Sequence, residues 1–565
     1  MISVSLIWLY MFITTFLLGY GILTGITRIC PYRIRRWDGY LMCGFAGATV
    51  YAQFFSIFAP VGLAANLVLS ALCLAIAFLC RKQLSADLQQ GIRKARKEKG
   101  IVGNGLTERV IFITFLFLLY AYGTSRGIIH YDTGLYHAQS IRWIEEYGVV
   151  KGLGNLHCRL AYNSASFALS ALYSMAFLGG QSYHCAAGFL ALLVAAVCLE
   201  VAELFKRKSL KASDFARVMG IYYLLIIFDE MISPASDYFM VLTAFYIVIR
   251  WMDLLEAKEK EVFPYAMLCV LGVFLMTVKL SAALIILLVI KPAGMLIREK
   301  RRKEIVLFCF LGILTAAPFL IRNVLLSGWL VYPFTGIDLF QVDWKIPQGM
   351  ATYDAKEIQV WGRGYHDVTG YDMSFLEWMP VWFRGLGGMD KLLVLAAIGS
   401  VVVFLIRFLR KFLTDKLLLE GVLSLCFLFW LFTSPLIRYG CVYVYLVSAV
   451  VWGNMLTEIL GAWDGQRRKH YLEKACLLVI GLFLLYKAAA FCREIATAYV
   501  DDYWICQKDY ENFETESYKI EEITFYYPVA GDRTGYESFP SSPVKADIRL
   551  RGDGIEDGFY YATPE

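Results

Sequence analysis

Apolar runs of about 17–22 residues alternate with short polar clusters along most of the chain. Each run is long enough to cross roughly 30 Å of hydrocarbon as a helix. A helix is also the open-chain structure that satisfies its own backbone polar groups in lipid. Helices are predicted near 4–26, 40–58, 60–80, 107–127, 184–204, 218–236, 237–251, 262–278, 279–297, 305–325, 391–409, 417–434, 441–460 and 475–492. The pattern therefore predicts an all-α polytopic membrane protein with about fourteen transmembrane helices. The first run, Ser3 to Thr27, is too long for a signal-peptide core and has no basic stretch before it, so it reads as a retained helix.

The charged clusters supply a topology. Arg28 to Arg36, Arg81 to Lys99, Arg298 to Lys303, Arg407 to Lys416 and Arg467 to Lys474 are rich in Arg and Lys, and Lys206 to Lys211 joins them. The positive-inside rule assigns all six to the cytoplasm and both termini to the outside. Three large outer segments result: 128–183, 326–390 and the tail 493–565. Parity of crossings between the first of these and Lys206 leaves room for one span, which 184–204 supplies. The apolar stretch 164–178 is then expected to lie in the outer interface without crossing, the alternative being a true span with one charge cluster misassigned. This divides the chain into accessory helices over 1–106, a core over 107–492 and an outer cap segment over 493–565.

Composition narrows the class. Of 565 residues, 58% are hydrophobic and only 18% charged, with a mean hydropathy of +0.55. A soluble domain of this size could not bury so much apolar surface, which excludes a soluble enzyme. The net charge of +6 is distributed as topology and is no nucleic-acid footprint. Most of the 14 cysteines fall inside apolar runs, where a thiol acts as a small hydrophobe. Cys158 and Cys506 fall in outer segments and could pair. There is no Cys/His metal spacing and no cofactor motif.

The first outer loop carries the sharpest chemistry. His130-Tyr131-Asp132-Thr133-Gly134-Leu135-Tyr136-His137 follows the helix near 107–127. Tyr136, Ser140, Trp143, Ile144 and Tyr147 then recur at three- and four-residue spacing, which predicts an amphipathic helix at the water–lipid boundary. A carboxylate placed like Asp132 can act as a general base toward a hydroxyl or amine. The competing role for Asp132 is to cap the helix that follows it. His130 and His137 are interrupted by Gly134, against a metal pair. His137, His157 and Arg159 are candidates for acceptor binding or loop positioning, and His157 equally suits a loop hydrogen bond. Asp237, in the turn after Pro234, is a candidate for positioning an acceptor or a divalent metal, with turn stabilisation as the alternative. Lys279, Arg322 and Arg438 each stand at a predicted outer helix end, where snorkelling to headgroups is the competing role.

A membrane helix, an outer loop with an early Asp, an interfacial helix and a returning span resemble the opening of the GT-C glycosyltransferases. Further likenesses are Thr277-Val278-Lys279-Leu280-Ser281, then Arg322-Asn323 with Ser327-Gly328 and Tyr332-Pro333, then Ser434-Pro435-Leu436-Ile437-Arg438-Tyr439. Many members carry a second acidic residue where this chain has Thr133. The resemblance implies a sugar donor carried on a polyprenyl phosphate and a glycan, lipid or protein acceptor at the outer face of a bacterial cytoplasmic membrane. It makes Asp132 the base and Lys279, Arg322 and Arg438 the cations holding the donor phosphate. An O-antigen polymerase or ligase, a transporter or flippase, and an envelope scaffold are the alternative readings.

Overall fold

The computed structural model describes residues 1–97, 106–207, 209–410, 414–462, 466–498 and 502–562. Parts of the basic clusters Arg81 to Lys99, Lys206 to Lys211 and Arg407 to Lys416 lie outside the described residues, as do 499–501 and 563–565 of the tail segment. The chain is mostly helical: α1 (Ile2–Thr27), α2 (Trp37–Ser56), α3 (Leu63–Leu79), α4 (Arg81–Lys97), α5 (Leu106–Thr124), α6 (Ala138–Glu146), α7 (Leu153–Leu156), α8 (Ala165–Tyr173), α9 (Ala186–Cys198), α10 (Glu203–Arg207), α11 (Ala212–Ile226), α12 (Ser236–Glu256), α13 (Val262–Val278), α14 (Ile290–Arg298), α15 (Arg302–Ser327), α16 (Gln348–Gly362), α17 (Phe375–Gly385), α18 (Gly388–Arg410), α19 (Asp415–Thr433), α20 (Ile437–Ala462) and α21 (Gln466–Ala498).

Among the described residues, eight helices are long and apolar enough to cross a membrane, or nine if the pair α3 and α4, bent by 79°, counts as one span. Shorter apolar helices at Val110–Thr124, Ala165–Leu178, Ala186–Ala202 and Val262–Val278 accompany them. The expected fourteen segments all contain helix, but the run 218–236 stops being helical at Ile226 and turns before α12. Leu280–Val289, ahead of α14, winds as a tighter 3-10 helix.

The bundle is organised around α12. It is buried without interruption from Asp237 to Met252, as befits a helix apolar on every side. It packs against α9, α11, α13 and α20. At the edge, α1 and α2 approach until a Cβ on Gly44 would fall 1.7 Å from Thr15 O, so only the small residue permits the contact. Peripheral spans such as α15 and α18 are mostly unburied, which suits faces turned toward lipid.

Two expectations about the first long loop need correction. The stretch 164–178 forms the nine-residue α8 and one 3-10 turn. At 1.5 Å per residue α8 rises only about 13 Å, too short to cross. All nine of its residues are buried in protein, so it is not an interfacial helix resting on lipid. The amphipathic α6 is likewise covered. Trp143 is fully buried, 4.8 Å from the Phe539 ring and 5.9 Å from the Phe559 ring. Gln139 donates to the carbonyls of Gly535 and Ser538, and Arg142 to those of Tyr536 and Glu537. Tail residues thus cover the aromatic face that the sequence pattern assigns to lipid.

The tail adds strands to an otherwise helical chain. β1 (Thr515–Ile520) pairs antiparallel with β2 (Ile523–Pro528), and β3 (Ile548–Leu550) with β4 (Phe559–Tyr561). Phe525 and Phe559 are fully buried with Trp143 and Leu153 in one apolar cluster, which docks this small cap on α6 and α7. Cys158 and Cys506, which could have paired, are both free thiols.

Candidate functional site

Four chain segments meet at the loop-bearing end of α12, and each is shaped by its local sequence. The loop before α6 is tied to the turn before α12 by three bonds: Ile128 N–H donates to Asp229 O at 2.8 Å, His130 N–H to Ser233 Oγ at 2.7 Å, and Ser233 Oγ to Ile128 O at 3.4 Å. Asp132 then sits at the entrance of a π-helical turn, Thr133–His137. Such turns are rare and recur at functional sites. Asp237 occupies the first turn of α12, three residues after Pro234, the preceding helix having already ended at Ile226. Lys279 is where α13 ends: its backbone is extended, and the freed Val278 carbonyl accepts a bond from Ser164 Oγ at 2.8 Å.

Arg438 lies in the short first turn of α20, which Gly440 separates from the rest by a non-helical φ/ψ. Two tryptophans fix the turn that leads into it. Trp382 Nε1 donates to Pro435 O at 2.8 Å, and Trp430 Nε1 to Leu436 O at 2.9 Å. A Cβ on Gly440 would fall 2.2 Å from the Trp430 ring, so the glycine is what lets that ring close over the turn.

These segments assemble one chain of ion pairs. Lys279 Nζ donates to Asp237 Oδ1. Asp237 Oδ2 lies 3.5 Å from Arg438 Nε. Arg438 Nη2 donates to Asp132 Oδ2 at 2.9 Å. The two carboxylates and two cations balance. The Tyr439 ring lies beneath both cations, 4.1 Å from Lys279 Nζ and 5.3 Å from the Arg438 guanidinium carbon. Asp237 is buried, while the side chains of Asp132, Lys279 and Arg438 stay 21%, 21% and 27% exposed, so the cluster remains reachable.

The Asp132 carboxylate makes no bond to the turn that follows it, which removes the capping role. Burial, the largest single influence, opposes its ionisation, but the groups around it, the Arg438 guanidinium first among them, together outweigh burial and hold the carboxyl below its ordinary value. His130 belongs to the same cluster. Its Nδ1 accepts the Asp132 N–H at 3.1 Å, and its ring touches the Arg438 guanidinium. Burial, then Arg438, push its pKa down, so the ring is neutral.

The remaining candidates take other places. His137 is buried, with Thr133 Oγ1 3.2 Å from its Nδ1 and the Phe167 ring centroid 5.3 Å away; burial pushes it down to about 3. It is a neutral packing residue 6.3 Å, ring to ring, from His130. Burial also pushes His157 down to about 3, and the adjacent Arg159 adds to this. Arg159 Nη2 lies 3.8 Å from Glu357 Oε2 and also contributes to the positive field at Asp132. Arg322 does not join the cluster. It is buried, donates from Nε to Asn163 Oδ1 at 2.8 Å and bonds Ser56 Oγ, so its donors bind loop and helix where the sequence reading had them hold a phosphate.

Sequence reasoning passed over His130 and Tyr439 as members of the cluster, although both flank residues it chose. It also missed Asp354 of α16, a buried carboxylate that accepts from Tyr162 at 2.6 Å and Tyr332 at 2.9 Å. Tyr162 in turn stacks edge-on against Tyr136, 5.6 Å away, linking the second long loop to the first. Among the described residues no three His, Cys, Asp or Glu side chains converge in a metal-binding set.

The tail closes over this loop. Thr534 and Gly535 N–H groups both donate to Gly134 O, at 3.0 and 2.9 Å. A Cβ on Gly134 would meet the Phe513 ring at 2.7 Å, which gives that glycine its reason within the Asp132 motif. A cavity of about 1090 Å³ lies elsewhere, near the arginine-rich end, and Asp132, Asp237, Lys279 and Arg438 do not line it.

These features define a helical membrane protein with an ion-paired cluster at converging helix ends, covered by a small β-containing cap. The chain belongs to the family described as Domain of unknown function (DUF8201), whose family model matches residues 1–445 and so includes all four residues of the ion-pair chain. No curated protein matches the chain.

Proposed function

We propose that this protein is a GT-C-like membrane glycosyltransferase with about fourteen spans. It moves a sugar from a polyprenyl-phosphate donor to a glycan, lipid or protein acceptor at the outer face of a bacterial cytoplasmic membrane. The observation that supports this reading is the ion-pair chain Lys279–Asp237–Arg438–Asp132, drawn from four distant segments into one reachable cluster at a helix end.

The donor enters from the bilayer and leaves its phosphate at headgroup depth. Arg438 binds that phosphate through a planar fork and Lys279 as a point charge. Both steady the negative charge that grows on the departing lipid phosphate. Asp132 accepts the proton from the acceptor hydroxyl or amine, whose oxygen or nitrogen attacks the anomeric carbon as the carbon–oxygen bond to phosphate breaks. The attack comes from the face opposite the leaving group and inverts the anomeric centre. Asp237 holds the two cations in register. The cap bonded to Gly134 limits water at the site.

The test is transfer activity in liposomes across a panel of polyprenyl-phosphate sugars, with product identified by mass spectrometry. Turnover of at least one donor that depends on Lys279 and Arg438 supports the reading. Uptake or translocation of lipid-linked glycan without any covalent change would move the assignment to a flippase.

A further inference from the structure

The cavity of about 1090 Å³ sits between α1, α2, α12, α13 and α15 and carries no role in the proposed reaction. Its volume is at the upper end of what small-ligand sites enclose. Its walls change character along their length. At one end stand Arg35, Arg36, Asp38 and Arg250; toward the other the lining is apolar and ends at Phe54 and Ile321. From Asp38 to Phe54 is sixteen helical steps along α2, or about 24 Å at 1.5 Å per residue. One leaflet offers a chain only about 15 Å, half the hydrocarbon core. The groove is therefore deeper than an ordinary acyl chain reaches from one surface.

The polar end is not a random charge cluster. Arg250 bonds Asp38, Glu200 and Asp253, and Arg217 bonds Asp253 and Glu200, so these acids are held by buried arginines. Arg35 and Arg36 stand at the rim with side chains 70% and 47% exposed, and Arg36 also bonds Asp38 and Glu200. The nearest acid to Arg35 is Glu259, 3.7 Å away and only 12% exposed. The rim thus presents the exposed Arg35 guanidinium, with that of Arg36 beside it shared with Asp38 and Glu200, and the exposed Glu203 stands among the lining residues. The space beside two lining glycines is open: a Cβ on Gly25 or Gly39 would meet nothing within 4 Å.

We infer that this cavity binds a polyprenyl monophosphate, with the phosphate on Arg35 and Arg36 and the isoprenoid chain along α2, α13 and α15. In the orientation proposed above, this is a carrier-lipid site on the cytoplasmic side, about a helix length from the Asp132 cluster. The inference rests on the cavity and its rim, and stands whether or not the transferase reading does.

Photo-crosslinking tests it. The full-length protein in nanodiscs is labelled with a polyprenyl monophosphate carrying a photoreactive group in its chain, and crosslinked peptides are mapped by mass spectrometry. Crosslinks are expected within 21–54 and 263–274, displaced by unlabelled polyprenyl phosphate and not by phosphatidylglycerol. Gly39→Leu fills the mouth without removing a charge or straining a helix, and should cut these crosslinks roughly tenfold or more. Arg35→Gln should weaken capture and narrow the preference over the uncharged polyprenol. Arg438→Ala, which takes the phosphate-binding guanidinium from the proposed donor site, should leave them unchanged, which separates the two sites. Wild-type labelling of these segments in Gly39→Leu, or equal displacement by phosphatidylglycerol, would overturn the inference.

Discussion

Arg438 Nη2 donates to Asp132 Oδ2 across 2.9 Å, joining residues 306 positions apart. The same guanidinium reaches Asp237, so the resting site already gives its strongest cation two carboxylate partners. In the proposed reaction a donor phosphate would compete with them, and on taking Arg438 it would release Asp132 beside the acceptor. The ion pair that occupies the proposed base in the empty site would then become the means of activating it.

This exchange predicts a split in the pH dependence. In the empty site Arg438, together with its neighbours, outweighs burial and holds Asp132 below the ordinary carboxylate value. With phosphate on Arg438, the burial that opposes ionisation is no longer outweighed, and the pKa of Asp132 rises. Because kcat/KM reports the free enzyme and kcat the bound complex, the acid limb of kcat should lie at higher pH than that of kcat/KM. Steady-state rates between pH 4 and 8 check this, and coincident limbs would argue against the exchange. Stability follows the opposite rule: the folded pKa of Asp132 is depressed, so the ion pair contributes above the unfolded pKa and is lost only as pH falls through the folded one.

Arg322 should behave as a structural residue. Arg322→Ala strips Asn163 Oδ1 and Ser56 Oγ of a buried donor and should cost about 1–3 kcal/mol of stability. Donor affinity, measured on the folded fraction, should stay within about twofold of wild type. A selective loss of donor binding with unchanged melting would return Arg322 to the phosphate site.

Glu145 gives the cap a pH-dependent latch. Burial pushes its carboxyl up to about 7, and it accepts from Tyr536 at 2.5 Å and Ser182 at 2.9 Å. A raised folded pKa means that its contribution is full below the unfolded value near 4.5 and is lost as pH rises through 7. Hydrogen exchange over 502–562 should therefore quicken between pH 5 and 8, with a total change of at most roughly 3 kcal/mol. Glu145→Gln should flatten that dependence; an unchanged slope would place the latch elsewhere.

Much of this architecture is legible in the sequence because long apolar runs fix where helices lie whatever surrounds them. Asp132, Asp237, Lys279 and Arg438 could be chosen because each charge stands at the end of such a run. What could not be read is contact between distant segments. Trp143 looks like a lipid anchor until Phe539 and Phe559 cover it. His130 looks like a loop residue until Arg438, 308 positions later, meets its ring. Arg322 and Arg438 look alike in sequence, and only the carboxyamide of Asn163 beside one and the carboxylate of Asp132 beside the other separate their roles.

The most direct test of the central claim is donor binding and sugar transfer measured together in Asp132→Asn. That change removes the proposed base and also one of the two carboxylates, Asp132 and Asp237, that compete for Arg438. The account predicts that transfer falls by about 10²-fold or more while the donor binds as tightly as in wild type or tighter. Full transfer by correctly inserted Asp132→Asn would contradict it.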